Sequence, residues 1–126
     1  MLLVRNRAAN FWYAPGGGWK YDDEELHEGA VREVLEEVGI QVRITRLVYV
    51  RTFRPPREKV QLELFWIAYP GSIRLPRNHV DRHGLVEEAG WFTRMQLRKL
   101  KVFPRELKEE FWQELDHRLH NPYLTT

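Results

Sequence analysis

The stretch Gly18-Trp19-Lys20-Tyr21-Asp22-Asp23-Glu24-Glu25-Leu26-His27-Glu28-Gly29-Ala30-Val31-Arg32-Glu33-Val34-Leu35-Glu36-Glu37-Val38-Gly39-Ile40 decides the fold. Nine of its positions stand in one register: Gly18, Glu24, Arg32-Glu33-Val34, Glu36-Glu37 and Gly39-Ile40. With average residue usage that pattern arises by chance on the order of once in 10^9 starting positions. It sets three carboxylates on one helix beside the loop Pro15-Gly16-Gly17-Gly18, an arrangement suited to a divalent metal and phosphate.

The spacing predicts a helix over 24–38, with Asp22 as N-cap, Glu25 completing a capping box, and Gly39 as the stop. At about 100° per residue, Ala30, Val31, Val34, Leu35 and Val38 fall within an arc of roughly 140°, a core-facing stripe. Glu33, Glu36 and Glu37 share a separate arc of roughly 100°. Such crowding raises carboxylate pKa values unless a partner relieves it. A hard cation such as Mg²⁺ is that partner, since it takes oxygen ligands and bridges carboxylates to phosphate. A solvated acidic face is the plain alternative. Gly29 sits inside the acidic arc at a helix cost of about 1 kcal/mol relative to alanine. We expect it to leave headroom for metal, water or phosphate, against simple tolerance. Arg32, four residues from both Glu28 and Glu36, can orient carboxylates by charge-assisted hydrogen bonds.

Outward from this segment the chain reads as one domain, residues 1–126. With 126 residues, 13% of them aromatic, it has enough material for an ordinary core. The absence of cysteine excludes a disulfide framework and a thiolate zinc site, and fits a cytoplasmic protein. No apolar run reaches membrane-spanning length. A formal charge of +2 is too small for a nucleic-acid signature. Short strands are expected at 2–5 and 11–14, then one long or two short strands at 41–53. A strand at 59–69 should become covered on both faces near Phe65-Trp66-Ile67. A loop rich in Pro, Gly and Asn runs from 70 to 84, followed by a strand at 87–93. Pro104 opens a helix to about Leu119, with Leu107, Phe111 and Leu115 on one face. Strands with interspersed helices give an α/β class.

On the nine positions quoted above, the chain resembles the Nudix hydrolases. The resemblance is specific over 18–40 and loose elsewhere. It implies an α/β/α sandwich with a mixed sheet. The family's usual first strand has no residues here ahead of Leu2-Leu3-Val4-Arg5. The shortfall reads as a truncated beginning, a late start, or an edge completed by a partner chain, and the last makes a homodimer an expectation. The resemblance further implies Mg²⁺- or Mn²⁺-dependent hydrolysis of a diphosphate bond in a nucleoside diphosphate linked to another group. Glu36 and Glu37 are then leading metal ligands, and Glu33 a further ligand or the general base. The Gly17 carbonyl is a ligand, and Arg32 holds a catalytic glutamate in place. Glu24 is structural or peripheral to the metal. Here Gly18 is the third glycine of its run where family members have the second, so the roles of Gly16, Gly17 and Gly18 stay open. Some members draw their base from a later loop, where Glu87 and Glu88 stand; an exposed strand pair is the competing reading.

Substrate choice is less legible. Trp12, Tyr13, Phe53 and Trp66 could stack a base or belong to the core. Arg51, Arg54 and Arg57 could grip phosphate or a terminal group, or be solvated. In the family a proline some fifteen residues past the box is associated with ADP-ribose hydrolysis, and Pro55-Pro56 fall there. His79 with His83, and His117 with His120, read as surface histidines rather than a second metal site. The leading expectation is a pyrophosphohydrolase acting on ADP-ribose or a nucleotide sugar. The alternatives are a house-cleaning nucleoside triphosphate pyrophosphohydrolase, an RNA 5′-end processing enzyme, and a non-catalytic nucleotide sensor on the same scaffold.

Overall fold

The structure is a computed structural model that describes residues 1–116 and 123–124. Strand β1 (Leu2–Asn6) is followed by helix α1 (Leu26–Val38), strands β2 (Val42–Phe53), β3 (Gln61–Pro70) and β4 (Val86–Trp91), helices α2 (Arg94–Leu97) and α3 (Glu110–Asp116), and strand β5 (Tyr123–Leu124). A 3-10 turn at Arg105–Lys108 leads into α3. The α/β class is as expected. The strands form two sheets: β1 paired antiparallel to β4, and β3-β2-β5. The second sheet is mixed, because β3 runs antiparallel and β5 parallel to β2.

β1 explains the layering. Its alternate side chains point to opposite faces, and both faces are buried. Leu3 joins Leu97, Val102 and Leu107 on one side, and Val4 joins Val38 and Ile40 on the other. The first cluster is closed by Phe92, Phe111 and Trp112, the second by Val34, Val42 and Val86. Helix α1 therefore lies against one face, and the C-terminal helical segments against the other. The two edges of β1 are met unequally. β4 takes one, and Tyr13 takes the other by exchanging backbone bonds with Val4 at 2.8 and 2.9 Å. One residue pair on the edge expected to be open beside β1 is thus taken by the chain itself, and nothing in the structure supports the homodimer.

Several local expectations are corrected. Residues 11–14 form only isolated bridges, Tyr13 to Val4 and Trp12 to Val102, not a strand. Helix α1 begins at Leu26, with Glu25 as N-cap and no side-chain cap bond. The Asp22 capping box is absent, and in the turn before the helix the Glu24 carboxylate accepts from Lys20 N–H at 3.0 Å. A capping box does occur at Thr93 and Gln96, where a strand was expected to end. Leu35, placed on the core stripe, is 39% exposed, whereas Glu33 is 6% exposed. Pro104 caps the 3-10 turn from extended backbone instead of opening one long helix. The tail of that helix beyond 116, the Leu115 side chain and the His117–His120 pair lie outside the described residues.

Candidate active site

Gly39 ends α1 in the left-handed region (φ 83°) and returns its N–H to Leu35 carbonyl at 2.9 Å. The helix presents its acidic face to the loop 15–18. Arg32 is the hub. Its Nε and Nη2 donate to the two oxygens of Glu24 at 2.9 and 2.8 Å, a bidentate fork. Its Nη1 reaches Glu33 Oε1 at 2.8 Å and Glu36 Oε2 at 3.2 Å, and its Nη2 also donates to Gly18 carbonyl at 2.8 Å. One guanidinium thus ties the glycine loop, the turn before the helix and two of the three acidic side chains together. The Arg32 bonds drop the Glu24 carboxyl to about 2. Those same bonds, to Glu24 first and Glu33 next, raise the arginine's own pKa.

Glu37 is held differently. Its Oε2 accepts the Gly16 N–H at 3.0 Å. Burial is the larger effect and pushes its carboxyl up to about 8. The negative charges of Glu33, Asp81 and Glu36 add to the rise, and the Gly16 bond opposes it. Tyr13 feels the same crowding: burial first, then the Glu37 charge, raises its hydroxyl.

Gly17 has a definite reason to be glycine. A Cβ there would fall 2.4 Å from both Cδ and Oε2 of Glu33, so the bare backbone lies directly against that carboxylate. Gly18 carries no such constraint. Gly29 also has close side-chain neighbours. A Cβ on it would lie 3.0 Å from Glu24 Oε1 and 3.5 Å from Trp19 Cδ1. The Glu24–Arg32 fork and the Trp19 ring occupy the space that a side chain here would enter.

The donors fit a hard cation in chemistry: Glu33, Glu36, Glu37 and the backbone at Gly17 offer only oxygen. Among the described residues no three His, Asp or Glu side chains are gathered into a ready-made cage. Arg32 engages Glu33 and Glu36, and Glu37 is turned to Gly16.

The remaining expected residues scatter. Arg51 is 2% exposed, bonded to Glu63 at 2.7 Å and stacked 4.4 Å from the centroid of Phe103 and 4.9 Å from that of Phe53. It is a structural cation inside an aromatic cluster, which corrects its reading as a substrate grip. Arg54 is exposed in the loop after β2. Glu88 is ion-paired to Arg5 across the β1–β4 register, and Glu87 is exposed on β4, so the strand-pair reading fits both. Trp12 is absorbed in the core, edge-on to Phe92 at 4.8 Å.

The loop before β4 escaped the sequence reading. Asp81 is 5% exposed and accepts the backbone N–H groups of His83, Leu85 and Val86 at 3.2, 2.9 and 3.0 Å. Burial works against its charge, but these bonds prevail and hold it below the usual carboxylate range. Arg82 and His83 come within 3.5 and 3.7 Å of Glu36. Asp81 three residues before Gly84 is an Asx-turn signal. Nothing in the sequence, however, says that the turn closes over a helix more than forty residues earlier.

This sandwich sets an arginine-locked acidic helix against a glycine loop, an oxygen-only arrangement suited in its chemistry to a hard cation and phosphate. The chain belongs to the Nudix family: its match to the NUDIX domain covers residues 1–114. Its fold is similar to that of a UDP-X diphosphatase (TM-score 0.71, 18% identity over 99% of this chain), of which it spans 60%. It is also similar to an ADP-ribose pyrophosphatase from Streptococcus suis (TM-score 0.66, 20% identity, covering 99% of this chain and 88% of the other). A MutT NUDIX hydrolase from Burkholderia pseudomallei matches at TM-score 0.67 with 23% identity, covering 86% of this chain and 84% of the other. Among the described residues, no helix is long and apolar enough to cross a membrane.

Proposed function

We propose that this chain hydrolyses the diphosphate bond of a nucleoside diphosphate linked to a second group, ADP-ribose or a nucleotide sugar, with Mg²⁺ or Mn²⁺ as cofactor. One observation carries the reading. Glu33 lies against the bare backbone of Gly17 and Glu37 accepts the Gly16 N–H, and burial first, then the charges of Glu33, Asp81 and Glu36, pushes Glu37 up to about 8. A proton or a cation relieves that repulsion. Residues Glu36, Glu37, Glu33 and the Gly17 carbonyl would hold the metal. When bound, it supplies neutralisation of phosphate oxygens and a water of lowered pKa. Arg32 holds Glu33 and Glu36 in place beside the glycine loop. One Glu33 oxygen is occupied by Arg32 and the other faces Gly17. That second oxygen is a ligand or takes the proton of the attacking water. Exposed Arg54 remains a candidate grip for the distal group. The preference for a diphosphate-linked substrate draws support from the names of two structural neighbours and from Pro55-Pro56. The cysteine-free composition suits a cytoplasmic site of action.

A panel of ADP-ribose, UDP- and ADP-sugars, dinucleotides and nucleoside triphosphates, with Mg²⁺ and with Mn²⁺, tests this directly. The expected products are a nucleoside monophosphate and a phosphorylated second group. Release of pyrophosphate from triphosphates alone would replace the reading with the house-cleaning activity. Glu37→Gln should lower kcat by about 10³-fold or more. An unchanged rate in that variant would overturn the site assignment.

A further inference from the structure

The loop at 79–85 is built more heavily than a connector needs. At its start, His79 Nε2 lies 2.7 Å from the Glu36 carbonyl and donates to it, near the end of α1 where carbonyls run short of intrahelical donors. Gly39 makes that approach possible, since a Cβ there would lie 2.7 Å from His79 Nδ1. Further along, the buried Asp81 carboxylate gathers three backbone N–H groups. Burying a carboxylate costs free energy, and these bonds do nothing but order the loop. Arg82 and His83 follow directly after the second anchor.

The Arg82 side chain is 71% exposed, with Nη1 3.5 Å from Glu36 Oε1. Glu36 is already bonded by Arg32 at 3.2 Å, and His83 stands 3.7 Å from the same Oε2. Three cationic or protonatable groups around one carboxylate are more than its charge requires. An exposed pair of this length is weak, so the guanidinium can exchange Glu36 for a stronger acceptor. Its planar fork matches phosphate oxygens. We infer that Arg82 is a substrate-binding residue for the phosphate chain of a nucleoside diphosphate derivative, presented by a loop that His79 and Asp81 hold in position. The inference rests on the proposed function for the identity of the anion. A plainer role for Arg82 would be to screen Glu36.

Titration calorimetry with the non-hydrolysable α,β-methylene-ADP in the presence of Mg²⁺ separates the two. Arg82→Ala should weaken Kd by about tenfold, Arg82→Lys should recover part of the loss, and Asp81→Asn should weaken binding with Arg82 still present. In turnover, KM should rise in Arg82→Ala while kcat stays within about threefold. If Arg82 only screened Glu36, its removal would tighten Mn²⁺ binding, read by electron paramagnetic resonance, and leave analogue affinity unchanged. That result would overturn the inference, as would failure of the wild-type protein to bind the analogue. A wild-type protein that bound the analogue through Arg82 but cleaved no diphosphate would defeat the proposed function alone. Normal cleavage with an indifferent Arg82→Ala would defeat this inference alone.

Discussion

In the proposed site, Glu37 would tie catalysis to stability. Its folded-state pKa, about 8, lies above the ordinary 4.5, so the folded protein keeps a proton that the unfolded chain releases. The stabilisation from that proton is complete below about pH 4.5 and is lost as pH rises to about 8. Urea denaturation of the metal-free protein should therefore show stability falling between pH 5 and 8, by roughly 1–3 kcal/mol after allowance for partial solvent access. Glu37→Gln should flatten the slope, and Mg²⁺ should restore stability at the upper end. Glu24 works in the opposite sense. Held at about 2 by Arg32, its contribution is present above the ordinary 4.5 and disappears as pH falls toward 2. At this scale the sequence is legible where register carries chemistry: the acidic arc and the arginine between its members were readable from helical spacing. The surroundings of Gly29 and Arg51 were not legible because they are tertiary. The first lies against side chains from the preceding turn, and the second is enclosed by rings from distant segments.

Among elements, the junction of α1 with the 79–85 loop is the most constrained. Gly39 must both adopt positive φ and admit the His79 ring. Gly39→Ala meets both penalties, and we expect a loss of about 1–3 kcal/mol in chemical denaturation. Activity should fall along with stability, because the displaced loop carries Arg82. Element types were recognisable from pattern, but several ends were not. The turn before α1 has every composition cue of a capping box, and still no side-chain cap bond forms there, while Glu24 is bonded to Arg32 and Lys20. Thr93 was absorbed into a strand because its capping partner Gln96 lies in a helix of only four residues, too short to show a period. Residues 11–14 have strand composition but make only two bridges, one to each neighbour.

At the level of the whole molecule, β1 is the keystone of both cores. Leu3 is completely buried beneath Leu97, Val102 and Leu107. Leu3→Ala should cost about 2–5 kcal/mol, measurable as a lowered urea midpoint with an unchanged slope. The layered architecture followed from family resemblance together with strand patterning. The way Tyr13 meets the outer edge of β1 did not, because pairing between irregular segments leaves no periodic trace. The partnership of β1 with β4 also bears on the order of events during synthesis. The second strand of that pair is translated some eighty residues after the first. Until residues 86–91 emerge, Leu3 and Val4 have no sheet to join, and the acidic helix has no layer to rest on. Non-local closure of this kind slows folding. A nascent chain halted before β4 would therefore expose two apolar surfaces at once and depend on chaperones to stay dispersed.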